Sequence, residues 1–310
     1  MKVNELLDVS SRVEIEALFV DSRQKVNKGM FFCLKCMLND GHRYVTEAIR
    51  NGAVCIVHSD ELEKYNKRVT YIRVDDVHAA LVEAAHRFYD DVSRKMTIIG
   101  VTGTNGKSSI ALTIRNIMNL YEKSGYIGTI GVEYGDHKIE MPNTTNDILT
   151  NLKILNDMYM DGCTTVAMEV SSHGLEQHRV DGIDYDMAIF TNLTHEHLDY
   201  HGTMENYFAA KAKLFTNLEE ENTAIINVDD PYGKRLTEMT KARVVTYGLQ
   251  EKADYQAINL QLFKDHTVFT LKYHGFDYKI ETNLVARFNV SNLLAVIAAL
   301  SESGIGIEEM

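Results

Sequence analysis

The segment Thr102-Gly103-Thr104-Asn105-Gly106-Lys107-Ser108-Ser109 follows an apolar run, Thr97 to Val101. After it, Ile110, Ile114, Ile117 and Met118 recur at helical spacing. Strand, glycine-bearing loop and amphipathic helix, in that order, are built to hold a nucleoside triphosphate. The glycines let backbone N–H groups close on phosphate oxygens, and the helix N-terminus adds partial positive charge. Lys107 would neutralise the β and γ phosphates, and Ser108 would offer its hydroxyl to magnesium. The strict G-x-x-x-x-G-K-[ST] spacing fails at one place, because Val101 stands where the first glycine belongs. A glycine-rich helix cap without nucleotide is the plainer alternative; the correct flanking elements favour ATP. Such a loop names no reaction by itself.

Other residues carry chemistry only in combination. Glu169 closes the apolar run Thr165 to Val170, placing an oxygen ligand beyond the carboxyl end of a strand, where doubly wound sheets bind ligands. His195-Glu196-His197 suggests half of a zinc-protease helix, but Asp199 stands where the second histidine is required. Cys33 and Cys36 form a lone C-x-x-C with no second pair to complete a zinc site, so ordinary half-buried thiols are expected. Lys211 follows two alanines and, on sequence alone, is a solvated surface lysine.

The elements that must position these residues fall into two groups. In the first 95 residues, short strands (Ala53 to Val57, Tyr71 to Val74) mix with a helix whose Val77, Leu81, Ala84, Ala85 and Phe88 share one face. From residue 96, strands Thr97 to Val101, Thr165 to Val170, Met187 to Phe190 and Thr223 to Val228 alternate with helices. The fold class expected is α/β: a small N-terminal α/β domain over 1–95, then a P-loop doubly wound, mostly parallel sheet over 96–310. Residues 254 to 280 alternate in polarity around His274-Gly275, predicting an antiparallel extension of two or three strands. A closing helix is expected over Asn289 to Ser301.

Composition narrows the partners. The formal net charge of -12 over 310 residues argues against nucleic acid, which needs a basic surface. The longest apolar runs, such as Leu293 to Leu300, fall well short of the roughly 20 residues of a membrane span. The N-terminus MKVNELLDVSSRVE has no secretory pattern, so a cytoplasmic place is expected.

Taken together, TGTNGKS at 102 to 108, MEVSSHGLEQHRV at 168 to 180, FTNLTHEHLDYHGT at 190 to 203 and YFAAKAKLF at 207 to 215 resemble the Mur ligases over essentially the whole chain. The resemblance implies an ADP-forming amide ligase of peptidoglycan precursor synthesis, working through an acyl phosphate with ATP as co-substrate. Asp21-Ser22-Arg23, Asp40-Gly41-His42 and Pro142-Asn143-Thr144-Thr145 point to the members that extend UDP-N-acetylmuramoyl-L-Ala-D-Glu with a diamino acid, diaminopimelate or lysine. The competing readings are another ligase of this superfamily, acting on folates or adding D-Ala-D-Ala, and a non-catalytic nucleotide-binding fragment.

The resemblance also distributes roles. Gly103, Thr104, Asn105, Gly106, Lys107, Ser108 and Ser109 would cradle ATP, with Asn289 and Asn292 of an F-N-x-x-N segment on its adenine side. Two Mg2+ are implied: one held by Ser108 and Glu169, the second by His197 and by Lys211 carbamylated by carbon dioxide. Val20, Ser22, Met37, Leu38 and Asn39 would take the uridine end of the sugar nucleotide. Asn143, Thr144, Thr145, Ser171, Gln177 and Arg179 would take the rest. An asparagine helix cap is the alternative for Asn289, and Ala286 stands where the family places glycine. Family members carry a further C-terminal, amino-acid-binding domain; its absence here would leave little complete ligase activity. A monomer is expected.

Overall fold

The computed structural model describes residues 1–35 and 39–310. The expected uridine-side residues Met37 and Leu38, with Cys36, lie outside the described residues. The chain divides into two compact units, Met1–Val92 with Ile148–Lys153, and Ser93–Asp147 with Ile154–Met310.

The first unit holds a four-stranded sheet in the order β1 (Ala17–Phe19), β2 (Gly29–Phe32), β3 (Ala53–His58), β4 (Thr70–Arg73), every pair parallel. All four residues of β2, Gly-Met-Phe-Phe, are buried, as a parallel strand covered on both faces requires. Helices α1 (Val3–Leu6), α2 (Val45–Arg50) and α3 (Val77–Phe88) belong to the same unit. The Asp76 carboxylate caps α3 by accepting from the N–H groups of His78 and Ala79 at 2.8 and 3.0 Å. Its buried stripe is Val77, Ala80, Leu81, Ala84 and Ala85, while Phe88 is only half-buried.

Both ring nitrogens of His42 are engaged. Nδ1 lies 2.6 Å from Asp40 Oδ1, and Nε2 accepts from the N–H groups of Ser59 and Asp60 at 3.1 and 3.2 Å. Asp40-Gly41-His42 therefore braces the loop after β3, and the His42 ring keeps no lone pair for a metal, although Asp40 and Asp60 are close to it.

The second unit is built on an eleven-stranded sheet in the order β15-β14-β13-β12-β11-β10-β5-β9-β6-β7-β8. Its strands are β5 (Thr97–Thr102), β6 (Ser124–Gly128), β7 (Gly131–Tyr134), β8 (His137–Ile139), β9 (Thr165–Glu169), β10 (Met187–Phe190), β11 (Thr223–Asn227), β12 (Arg243–Gly248), β13 (Tyr255–Leu262), β14 (Thr267–Tyr273) and β15 (Phe276–Thr282). From β6 to β13 the pairings through β9, β5, β10, β11 and β12 are all parallel. The expected antiparallel extension is three strands, β13 to β15, turning at His274-Gly275. A second antiparallel extension, β7 and β8, lies at the opposite edge and was not expected.

The helices are α4 (Lys107–Met118), α5 (Ile148–Met160), α6 (Ser172–Glu176), α7 (Leu198–His201), α8 (Met204–Thr216), α9 (Pro231–Leu236) and α10 (Arg287–Glu302). Ile110, Ala111, Ile114 and Met118 of α4 and Val290, Leu294 and Ala298 of α10 pack with Ile99, Val101, Ile189 and Ile225 of the sheet in one core. No helix among the described residues is long and apolar enough to cross a membrane.

The closing helix corrects the expected cap. It starts at Arg287, so Asn289 lies inside its first turn, and its Nδ2 donates to the Val285 carbonyl at 2.7 Å. The cap is Ala286, at φ 80 and ψ 148. A Cβ is strained in that region, and glycine is not. Ala286→Gly is expected to stabilise the chain by about 1 kcal/mol, after glycine's own entropic cost, read as a higher urea midpoint at unchanged slope.

Candidate active site

The carboxyl ends of three adjacent strands define the site. Register pairs Val101 of β5 with Glu169, the last residue of β9, and Thr102 with Phe190, the last residue of β10. From β5 the chain proceeds to β6 and β9 on one side and to β10 on the other, which makes this the switch point of the sheet.

The loop from Gly103 to Gly106 leaves β5 and is held by the segment after β10. The Thr104 and Asn105 N–H groups donate to the Asn192 backbone carbonyl and side-chain Oδ1 at 2.8 and 3.0 Å. Thr191 Oγ1 and Asn192 Nδ2 donate to the Asn105 carbonyl at 2.6 and 3.1 Å. Gly103 has φ +146, and a Cβ there would overlap Thr191 Oγ1. Gly106 precedes α4, and Asn292 of α10 reaches it: a Cβ at Gly106 would stand 2.6 Å from Asn292 Oδ1. The expected ATP-side residues Gly103 to Ser109 and Asn292 are thus one neighbourhood. Asn289 is turned to Val285.

Two lysines converge on one carbonyl. Lys107 Nζ donates to the Gly103 and Thr104 carbonyls at 3.0 and 2.8 Å, and Lys211 Nζ donates to the same Gly103 oxygen at 2.8 Å. Lys211 is 1% exposed, with its ammonium 4.8 Å from the centre of the Tyr207 ring. Burial, with the Lys107 charge second, pushes the Lys211 amine well below the usual lysine range. Burial lowers Lys107 too, against the opposing pull of Glu169 and Glu196. The surface-lysine expectation for Lys211 is corrected. Its neighbour Lys213 is the one at the surface, paired with Glu176 at 2.9 Å.

Glu169 is fully buried and well supplied with donors. The Tyr126 hydroxyl and the Thr129 N–H, the latter at 3.0 Å, donate to Oε1, and Thr129 Oγ1 donates to Oε2 at 3.0 Å. Burial, then Glu169, raises the Tyr126 phenol, which stays protonated and donating. Sequence reasoning missed Tyr126 and Thr129. His197 sits at φ +54 just before α7, its ring 5.0 Å from that of His173 and 6.1 Å from that of Tyr207. His201, also missed, stacks on Tyr207 at 5.0 Å, with Nε2 3.0 Å from Ser172 Oγ. Tyr207 is therefore common neighbour to His197, His201 and Lys211.

The polar residues expected around the sugar nucleotide fall partly together. Thr145 is buried, donating to the Glu169 carbonyl at 3.1 Å and accepting from the Ser171 N–H at 3.0 Å. Ser171 caps α6. Arg179 donates to the Thr145 carbonyl and to Gln177 at 2.9 and 2.6 Å, and Thr144 Oγ1 lies 3.1 Å from Thr129 Oγ1. Asn143 is exposed. In the first unit, Ser22 donates to Glu47 at 2.5 Å, Val20 follows β1, and Asn39 is exposed. A cavity of about 910 Å³ opens elsewhere, at the amino ends of β5, β10 and β11, rimmed by the Arg94–Asp184 pair and Asp186. None of the site residues above borders it.

Oxygen donors are what magnesium requires, and the Ser108 hydroxyl with the Glu169 carboxylate supplies two of them. A lysine ammonium is no ligand, so Lys211 fits a second ion only after conversion to a carbamate.

Residues 101–300 match the Mur ligase middle domain. The chain belongs to the Mur ligase family. Residues 14–89 match the family's catalytic domain as well. This Mur ligase chain is 41% identical over 292 residues to UDP-N-acetylmuramyl-tripeptide synthetase 2 of Oceanobacillus iheyensis, covering 92% of the chain and 59% of the relative. It is 41% identical over 301 residues to UDP-N-acetylmuramoyl-L-alanyl-D-glutamate--2,6-diaminopimelate ligase of Halalkalibacterium halodurans, covering 96% and 61%. A solved structure of a ligase of that second name superposes with a TM-score of 0.85 at 29% identity, covering 99% of this chain and 64% of its own. The chain therefore spans about three-fifths of the length of the relatives it matches.

Proposed function

We propose that this Mur ligase chain carries the nucleotide and sugar-nucleotide machinery of an ADP-forming ligase that adds a diamino acid to UDP-N-acetylmuramoyl-L-Ala-D-Glu. The convergence of the Lys107 and Lys211 amines on Gly103, beside Glu169, supports this reading most directly. A carboxylate joins an amine in water only after activation. Here the substrate carboxylate attacks the γ-phosphorus of ATP and ADP leaves. The amine then displaces phosphate from the acyl phosphate.

Each residue role follows from charge. Backbone N–H groups from Gly103 to Ser109 cradle the phosphates, and Lys107 turns from the loop carbonyls to the β and γ oxygens. Ser108 and Glu169 hold one magnesium, and His197 with carbamylated Lys211 the second. Magnesium, when bound, neutralises charge on the transferring phosphoryl group. Asn292 takes the adenine side. Residues 96–310 form the ATP-binding domain, with Asn143, Thr144, Thr145, Ser171, Gln177 and Arg179 facing the muramoyl-peptide portion. Residues 1–95 form the uridine-binding domain, with Val20, Ser22 and Asn39.

Binding tests the residues present. Calorimetry is expected to show the chain taking up Mg-ATP and, separately, UDP-N-acetylmuramoyl-L-Ala-D-Glu, with no heat from tetrahydrofolate. Lys107→Met should weaken Mg-ATP binding about 100-fold, as loss of a charge-assisted contact worth about 2–3 kcal/mol predicts, and leave sugar-nucleotide binding unchanged. A chain that binds tetrahydrofolate and not the muramoyl dipeptide overturns the assignment.

A further inference from the structure

We infer that Tyr126 and Thr129 are positioning residues that aim Glu169 at a magnesium ion. This rests on the reading of the site given above. A carboxylate has about four lone-pair positions, two on each oxygen. Oε1 of Glu169 spends both of its own on the Tyr126 hydroxyl and the Thr129 N–H. Oε2 spends one on Thr129 Oγ1 and keeps the other. The carboxylate is thus fixed in rotation, and the single lone pair left for a cation is on Oε2.

The backbone is cut to fit this arrangement. A Cβ at Gly128, between Tyr126 and Thr129, would overlap both Glu169 Oε1 and the Tyr126 oxygen. Thr129 Oγ1 is steadied in turn by Thr144 Oγ1 at 3.1 Å. Groups that orient a metal ligand without touching the metal change affinity by about 10–100-fold when removed.

The experiment uses the full chain and ADP as probe. ADP affinity is measured by calorimetry in EDTA and across a Mg2+ series, for wild type, Tyr126→Phe, Thr129→Val and Thr129→Ser. The expected result is an unchanged ADP affinity in EDTA for all four. The apparent Mg2+ affinity of the ADP complex should be weakened about 10-fold in Tyr126→Phe and Thr129→Val, and restored close to wild type in Thr129→Ser. Wild-type Mg2+ affinity in both Tyr126→Phe and Thr129→Val overturns the inference and leaves the site reading standing. An equal loss of ADP affinity in EDTA also overturns it, because the residues would then be merely structural. Wild-type ADP binding indifferent to Mg2+ overturns the site reading itself, and this inference with it. Should Tyr126→Phe fail to fold, the Thr129→Val and Thr129→Ser pair decides the matter alone.

Discussion

Gly103→Ala is expected to destabilise the chain by about 4 kcal/mol, the sum of a glycine-only backbone and an overlap that cannot relax. The backbone cost comes from φ +146. The overlap comes from Thr191 Oγ1, which is not a loose side-chain end: it donates to the Asn105 carbonyl at 2.6 Å, and its own chain carries Asn192, which bonds both N–H and C=O of the loop. Moving Thr191 away therefore dismantles the loop from Gly103 to Asn105. Gly162→Ala is the matched control, since Gly162 has φ +87 with nothing within 4 Å of its Cβ position, and should cost only about 1 kcal/mol. Urea unfolding of the two variants separates the terms. Equal losses would show that backbone conformation alone sets the cost and that Thr191 yields freely.

That loop was legible in the sequence because its signals are local. A strand, two glycines and a helical apolar stripe lie within about twenty residues, and each is a preference of the segment itself. The hairpin at His274-Gly275 was legible for the same reason: alternation changes into a turn residue at φ +82. The β7–β8 extension was not, since β8 has only three residues, all exposed, and shows no alternation to read. β1 was hidden similarly, at three residues. α5 was hidden because Ile148, Leu149, Leu152, Ile154, Leu155 and Met158 are all buried, which blurs the helical period.

The site divides along the same line. Glu169 could be placed from its strand, but what holds it could not, because nothing local to Tyr126 marks it as the partner of a carboxylate. Its hydroxyl meets Glu169 only through the register of β6 on β9, where Tyr126 pairs with Ala167 and Ile127 with Met168. Lys211 and Lys213 are two residues apart on α8, and composition gives both the same surface prior. Tyr207, Phe208, Ala210, Lys211, Ala212, Leu214 and Phe215 of α8 are buried, while its open stripe runs through Glu205, Ala209 and Lys213 at a spacing of four, so Lys213 lies on that stripe and Lys211 lies off it. Only the family resemblance distinguished Lys211 in advance.

Burial gives Lys211 an energetic signature that can be measured without any substrate. In the unfolded chain its amine titrates near 10.5, as an ordinary lysine does, and in the folded chain well below that, chiefly through burial and secondly through Lys107. Between those two points the unfolded state binds the proton that the folded state refuses, so stability rises with pH across that interval. Below the folded value the full penalty of a buried charge is present. Lys211→Met removes it while filling nearly the same space. The substitution forfeits the hydrogen bond to the Gly103 carbonyl and the contact with the Tyr207 ring, together about 1–2 kcal/mol. Replacement of buried charges by apolar side chains of like volume is often stabilising by about 1–4 kcal/mol. In buffer free of carbon dioxide, Lys211→Met is therefore expected to be more stable than wild type at pH 7, and the difference should shrink steadily as pH approaches 10.5. At a fixed Mg2+ concentration, adding bicarbonate should raise the stability of wild type, whose amine can become an anion, and leave Lys211→Met unmoved. A Lys211→Met variant that is less stable than wild type by the same amount at pH 7 and pH 10 would mean that the amine is folded with its charge fully compensated. Such an amine would have no reason to take up carbon dioxide.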